Sequence, residues 1–401
     1  MKAAGIICEY NPFHLGHLRH IEKTRSAMGG DCAIVGVMSG NFVQRGDFAV
    51  FSKQARAGMA VSCGADLVVE LPAHCALSSA EGFARASVHI LDGLGVCDAV
   101  SFGSESGDIG ALREAAGAIA SPEASGIIRE GLGAGLPYAA ALQRAADAVM
   151  GRGAEIFRSP NNLLGIEYVK AVAELGSPLR PMTVKRAGGE HDGCAGWSAS
   201  HIRKSLLRGE RPWELMPEGA AEACEAEIAA GRGPVSMGRC ELAVLSRLRA
   251  AGGLAALPGA AEGLDRRFKR YAATEPSVDA ILEKVKTKRY AMSRLRRMLM
   301  CACLGIAAED TRTLPQYIRV LALNSAGMEL LGEARKKARL PIITKPASAR
   351  RLPDRAARLF ELEAAATDFY VLAYQNGGER SGGQEWRQTP VVDCYSSRGT
   401  V

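Results

Sequence analysis

An α/β fold is what the 401-residue sequence predicts: a parallel sheet with helices on both faces, then an all-helical second part. Three observations carry that prediction. Short apolar runs alternate with helix-patterned runs through the first half, a rhythm that favours a parallel sheet. The alternation stops after about Arg208, beyond which apolar residues recur at the 3.6-residue spacing of helices. The segments richest in chemistry all follow strand-like runs, where a doubly wound sheet gathers its ligands.

The first strand-like run, residues 3–8, is apolar and small-residued. Asn11-Pro12 breaks it, because proline cannot donate to a ladder and disfavours helical geometry just before it. From His17 onward, Leu18 and Ile21 alternate with Arg19, Glu22, Lys23 and Arg25, which reads as a helix. His14-Leu15-Gly16-His17 thereby falls at a strand-to-helix corner, where free backbone N–H groups and the helix dipole favour an anion. Gly16 has no side chain to keep a phosphate away from the backbone. Two imidazoles three residues apart can donate to phosphate oxygens and stabilise charge developing on the phosphorus. A pair of helix-start histidines without a ligand is the alternative reading.

Further strands are expected at 32–38, 65–70, 98–102 and 182–185, with helices at 17–28, 53–63, 79–91, 109–120 and 125–149. Three more loops follow the strand-end rule. Residues 39–47 (SGNFVQRGD) precede Lys53, which opens a helix. Phe102-Gly103-Ser104-Glu105 offers a glycine at which a base or ribose could approach the backbone. Residues 159–165 begin a helix with Asn161 and Asn162, whose amides both donate and accept. Arg186 ends the fifth strand, Ser200 reads as an N-cap, and Arg203 would project a guanidinium from the next first turn. Singly, each is also readable as an ordinary turn or cap.

Helices are then expected at 218–231, 236–251, 278–305, 314–340 and 355–374. Residues 236–360 hold 25 of the 50 Lys+Arg but only 11 of the 43 Asp+Glu, a contrast the net charge of +7 conceals. Lys284, Lys286, Lys288, Arg289, Arg294, Arg296 and Arg297 form the densest run, and Arg335, Lys336, Lys337 and Arg339 a second. Either is a solvated face or a surface for a polyanion, and an RNA backbone is the polyanion a broad cationic face neutralises best. The Gly/Ser/Arg-rich tail from Gly377 reads as disordered. The division expected is 1–208 catalytic, 209–376 helical and basic, 377–401 tail.

Composition narrows the class. Apolar residues make up 47% and charged residues 23%, as in ordinary globular proteins. No apolar run nears the roughly 18–20 residues of a membrane span, and no signal-peptide layout precedes the first strand, so a cytoplasmic protein without a membrane partner is expected. Eleven cysteines, an odd count with no C-x-x-C, support neither a disulfide framework nor a metal site.

The segments GIICEYNPFHLGH (5–17), MSGNFVQRGDFAVFSKQARAGMA (38–60), DLVVELP (66–72), FGSESGD (102–108), SPNNLLGIEYV (159–169) and SASHIR (198–203) resemble the tRNA(Met) cytidine acetate ligase family. KTKRYAMSRLRRML (286–299), YIRVLALNSAGMELL (317–331), LPIIT (340–344) and ATDFY (366–370) extend the similarity to about Tyr374. The resemblance implies a Rossmann-like, HIGH-type nucleotidyltransferase domain followed by an all-α, tRNA-holding part. It implies ATP-dependent acetylation of N4 of the wobble cytidine in elongator tRNA(Met), with acetate as acyl source and Mg2+ accompanying ATP.

By that resemblance the ATP loop is Ile7, Cys8, Glu9, Tyr10, Asn11, Pro12, Phe13, His14, Leu15, Gly16, His17, Leu18, Arg19 and His20. Gly103, Asn161 or Asn162, and Arg186 are further nucleotide contacts, with Ser200 beside them. Leu15 departs from the asparagine the family commonly carries between histidine and glycine. Such chemistry needs positioning and charge neutralisation more than a covalent side chain, so His14, His17, Lys53 and Arg203 are the expected catalytic residues, with Arg45 beside them. Asp47 is open between a Mg2+ ligand and a salt bridge. No protein partner is implied. A small-molecule nucleotidyltransferase and a non-catalytic RNA-binding protein are the competing readings.

Overall fold

The computed structural model describes residues 1–186, 198–260 and 263–393. Ten strands are described: β1 Lys2–Cys8, β2 Cys32–Ser39, β3 Phe42–Val43, β4 Asp47–Phe48, β5 Leu67–Leu71, β6 Ala99–Ser104, β7 Arg180–Lys185, β8 Ile318–Asn324, β9 Ile342–Ile343 and β10 Val391–Asp393. All but the small β3–β4 hairpin join one mixed sheet, ordered β10-β8-β5-β2-β1-β6-β7, with β9 on the side of β8. The stretch β5-β2-β1-β6-β7 is parallel throughout. That is the doubly wound core the alternation predicts.

Helices α1 Leu15–Ala27, α2 Lys53–Ser62, α3 Ala73–Ala76, α4 Ala80–Leu94, α5 Ile109–Ile119, α6 Pro122–Gly133, α7 Tyr138–Met150, α8 Pro160–Glu174 and α9 Ala199–Leu207 accompany the first seven strands. The chain continues through α10 Glu218–Ala229, α11 Glu241–Ala250, α12 Leu264–Thr274, α13 Val278–Val285, α14 Met292–Leu304, α15 Ala308–Arg312, α16 Ser325–Lys337 and α17 Asp354–Val371. Every residue of β2 is buried, as a central strand covered on both faces must be. At Gly5 in β1 an added Cβ would come within 2.4 Å of the Leu91 methyls, so the glycine lets α4 lie close on the sheet.

The helices depart from the expectation in three places. Residues 314–340 are not one helix. Ile318–Asn324 is a fully buried strand running antiparallel to β5, and Asn324 then caps α16 by accepting from Gly327 N at 2.9 Å. A short continuous apolar run does not distinguish a buried strand from a buried helix, and only the vacant edge of β5 decides it. The expected helix 278–305 is two, broken at 286–291, and the expected 125–149 is two, broken before Pro137.

The tail is folded through Asp393. Gly377–Arg380 forms a short helical turn, Glu385 is wholly buried, and β10 pairs in parallel with β8. Residues 394–401 lie outside the described ones. The sheet therefore takes strands from all three expected segments. A separate apolar cluster under the helical half likewise includes Phe42 and Phe48 of the β3–β4 hairpin beside Phe369 and Tyr370 of α17.

Candidate nucleotide-binding site

The end of β1 turns sharply. Tyr10, although not a glycine, holds φ of +43°, and the Asn11-Pro12 peptide is cis. Tyr10 is buried with its ring centroid 4.8 Å from Phe13 and 4.9 Å from His17, packing that holds this uncommon backbone. Asn11 Oδ1 accepts from Val50 N at 2.7 Å, tying the turn to the segment ahead of α2. Arg56, fully buried, donates to the carbonyls of Glu9, Ser39, Gly40 and Phe51, and so clamps the chain ends after β1 and β2 together. A lone arginine within the apolar pattern of α2 was its only mark in the sequence.

His14 is the N-cap of α1. Its Nδ1 accepts from Gly16 N at 3.0 Å, while its own N–H donates to His17 Nδ1 at 3.2 Å. Each neutral ring therefore carries its proton on Nε2, and each Nε2–H remains a donor. The two rings stack 3.7 Å apart. Burial, then Arg186 and Arg203, push His14 down to about 4. Burial, then His14 and Arg186, hold His17 well below its ordinary value. Neutral donors at a helix N-terminus suit an anion without placing two cations in contact.

The cavity over this corner is lined by His14, Gly16, His17 and His20, with Gly103, Lys185 and Arg186 opposite. Arg19 and Lys23 complete its cationic rim. At Gly103 an added Cβ would meet Arg186 Cγ at 3.0 Å, so the glycine keeps that wall open. His20 Nε2 is bonded to Ser101 Oγ at 3.0 Å, and Ser101 to Thr24 Oγ1 at 2.7 Å, which anchors α1 on β6. The arrangement can hold phosphates along the start of α1, with Gly103 on the wall beside them.

A model of the family described as HIGH Nucleotidyl Transferase matches residues 1–385. The chain is 38% identical to a tRNA(Met) cytidine acetate ligase of Acetivibrio thermocellus, covering 98% of this chain and 100% of that protein. A second, from Caldanaerobacter subterraneus, is 38% identical over 94% and 96% of the two chains. The chain belongs to the tRNA(Met) cytidine acetate ligase family. Thermotoga maritima TmcAL bound with alpha-thio ATP superposes with a TM-score of 0.90 at 34% identity, covering 98% of this chain and 99% of that one.

In this member of the family the expected site residues divide into two groups. His14, Gly16, His17, Arg19, His20, Gly103 and Arg186 line one cavity. Arg203 stands at the loop beside it, where Nη1 donates to Asn11 O at 2.7 Å and Nη2 to Ser200 Oγ at 3.1 Å. Its charge faces Glu9, Asp47 and Arg45. Ser200 is not the N-cap of α9. That role belongs to Ser198, which accepts from His201 N at 3.2 Å, and two serines two residues apart concealed which one capped.

Asn161 and Asn162 act on protein. Asn162 Oδ1 accepts from Glu105 N and Ser106 N at 3.0 and 3.1 Å, and Asn161 Nδ2 donates to Glu105 Oε1 at 2.7 Å. They brace the loop that follows β6, directly after the strand end that holds Gly103. Ile7, Cys8, Tyr10, Pro12 and Phe13 shape the turn from behind, and Glu9 accepts from Gln44 N at 2.7 Å. Leu15 and Leu18 are half-buried on α1.

Lys53 does not reach the cavity, contrary to expectation. Its ammonium is fully buried, 2.5 Å from Glu70, 2.6 Å from Glu385 and 3.2 Å from Glu363. Burial alone would lower its pKa, but the three carboxylates carry it above its ordinary value. Two of those acids lie in the last forty residues, which hid the cluster from local reading. Asp47 is a salt-bridge partner, 2.9 Å from Arg296, and also accepts from Phe48 N.

The cationic run is likewise divided. Lys284, Lys286 and Lys288 are exposed, and Arg289 is half-buried. Arg294 donates to Gly259 O at 3.1 Å. Arg296 and Arg297 instead reach the 44–47 loop, through Asp47 and through Gln44 O at 3.3 Å.

Proposed function

We infer that this chain is an ATP-dependent ligase that acetylates the wobble cytidine of elongator tRNA(Met). The observation that carries the reading is the pair of neutral, Nε2-protonated histidines at the start of α1, facing Gly103 and Arg186 across one cavity. An acetate oxygen attacks the α-phosphorus of ATP, and the bond to the bridging oxygen of pyrophosphate breaks. Acetyl-adenylate forms and pyrophosphate leaves. The cytidine N4 amine then attacks the acetyl carbonyl carbon and loses a proton, and AMP departs with the electron pair of the acyl–oxygen bond.

His14 and His17 donate to phosphate oxygens as charge builds at phosphorus, while Arg186, Lys185 and Lys23 neutralise the polyphosphate. Arg203 and Arg45 face the side where the acid enters, beside Glu9. Mg2+ accompanying ATP would add to the charge neutralisation that Arg186, Lys185 and Lys23 give the polyphosphate. The target base must leave its stack to reach the adenylate, as anticodon-loop bases do, and the substrate implies work in the cytoplasm. Among the described residues no helix is long and apolar enough to cross a membrane.

Acetate-dependent exchange of labelled pyrophosphate into ATP, run with and without tRNA, tests the activation half. Exchange that needs acetate and is lost in His17→Ala supports it. Exchange that needs a phosphoester or a larger acid instead moves the reading to a small-molecule nucleotidyltransferase.

A further inference from the structure

We propose that a second cationic cleft, separate from the nucleotide cavity, docks the sugar-phosphate backbone of RNA. The proposal rests on the tRNA reading above and names the surface that reading requires.

The cleft encloses about 420 Å³, within the range of roughly 300–1,000 Å³ usual for ligand sites. It lies where the sheet domain meets the helical half. Arg85 comes from α4, Arg294 and Arg297 from α14, and Arg312 from the end of α15. Among its described lining residues Glu81 is the single carboxylate. Four guanidiniums from three elements line one concave surface, and only Arg294 and Arg297 share a cationic run in the sequence.

Their partners leave that charge available. Arg294 and Arg297 are steadied by backbone carbonyls, Gly259 O and Gln44 O, which orient a guanidinium without neutralising it. Arg85 has Glu174 3.6 Å away, but both side chains are more than 40% exposed and the pair is solvent-screened. Arg312 is exposed.

The chemistry of the wall selects among anions. Among its described lining residues none is aromatic, so a nucleobase has nothing to stack on. Guanidinium forks match phosphate oxygens in pairs, which suits contacts that position a backbone rather than read bases. The cleft also communicates with the catalytic corner. Arg297 holds Gln44 O, Gln44 N holds Glu9, and Arg203 holds Asn11 O two residues further on. A strand seated on these arginines is thus led toward the loop that borders the ATP site.

The test uses the full chain and the double variant Arg85→Gln/Arg312→Gln, which leaves Arg294 and Arg297 in their structural contacts. Affinity for elongator tRNA(Met) is measured across a salt series, and ATP binding by calorimetry. The expected result is tRNA binding weaker by about tenfold, with the log–log salt slope shallower by about 1.4–1.8, the contribution of two phosphate contacts. ATP should bind with unchanged affinity and one equivalent per chain, and the thermal midpoint should be unchanged. A double variant that binds tRNA with wild-type affinity and slope overturns the cleft alone. A wild-type chain that binds no tRNA overturns the tRNA reading itself. A second ATP equivalent lost in the double variant assigns the cleft to free nucleotide and overturns the RNA assignment.

Discussion

The Lys53 ammonium lies 2.6 Å from the Glu385 carboxylate, both fully buried, and joins the start of α2 to the C-terminal tail. Glu385 also faces Arg319 of β8 at 3.4 Å and accepts from Thr367 Oγ1 at 3.0 Å. Glu363 of α17 adds a bond to Ala73 N at 2.7 Å. One lysine therefore pins the sheet, the last long helix and the tail to each other, and its role is architectural.

Lys53→Met should accordingly cost stability rather than chemistry. Removing one partner of a buried ion cluster leaves uncompensated carboxylates and costs about 3–5 kcal/mol. Denaturant unfolding measures the loss, and ATP affinity of the molecules still folded should stay within about twofold of wild type. Full stability with ATP binding lost would place Lys53 in the site after all.

Deleting residues 377–401 makes a related test. The truncation removes Glu385 and β10, exposing the edge of β8 and leaving Lys53 and Arg319 with fewer partners. The expected outcome is a lower thermal midpoint and a tendency to aggregate through the bared edge, checked by calorimetry and light scattering. A tail that is dispensable for stability contradicts it.

These two cases show where sequence reading stopped. The parallel core was legible because its strands are short buried runs separated by amphipathic helices, and the His14-to-His17 corner because its residues adjoin in the chain. Glu385 read as part of a polar tail since its partners, Lys53 and Arg319, lie far away in sequence. Residues 318–324 read as helix since burial on every side erases the period that separates strand from helix. Arg296 and Arg297 read as surface cations because their partners, Asp47 and Gln44 O, come from the other half of the chain. Pairings between distant segments are what local pattern leaves out.

His14→Ala and His17→Ala should spare most ATP binding and remove rate. Each ring offers one Nε2–H donor to charge that builds in the transition state, and losing such a donor costs about 10²–10³ in kcat. Single-turnover formation of acetyl-adenylate against ATP affinity separates the two effects. A loss confined to affinity contradicts the assigned role.

Gly103→Val should weaken ATP binding by roughly tenfold or more, since even a Cβ at this position meets Arg186 Cγ at 3.0 Å and branched methyls would stand in the gap. Calorimetric titration measures it, with Gly117→Val, where nothing lies within 4 Å of an added Cβ, as the exposed-helix control. Equal affinities in the two variants contradict the placement of the base at Gly103.

Acid should destabilise the fold through His14 and His20. His14 and His20 sit at about 4 in the folded chain, both chiefly through burial, against roughly 6.5 when unfolded. Between those values the unfolded chain binds protons that the folded chain does not. Stability is therefore full above about pH 6.5 and declines as pH falls toward 4, by up to about 3 kcal/mol for each histidine. Urea midpoints at pH 7 and pH 5 measure the decline, which should be smaller in His14→Gln. An equal decline in that variant contradicts the linkage.

The central claim is acyl transfer to one tRNA, and labelled acetate tests it most directly. The purified chain is incubated with ATP, labelled acetate and either elongator or initiator tRNA(Met), beside the His17→Ala variant. Label is expected on N4 of the wobble cytidine of the elongator alone, dependent on ATP and absent with the variant. Label in neither tRNA, under conditions where the chain still binds ATP, would contradict it.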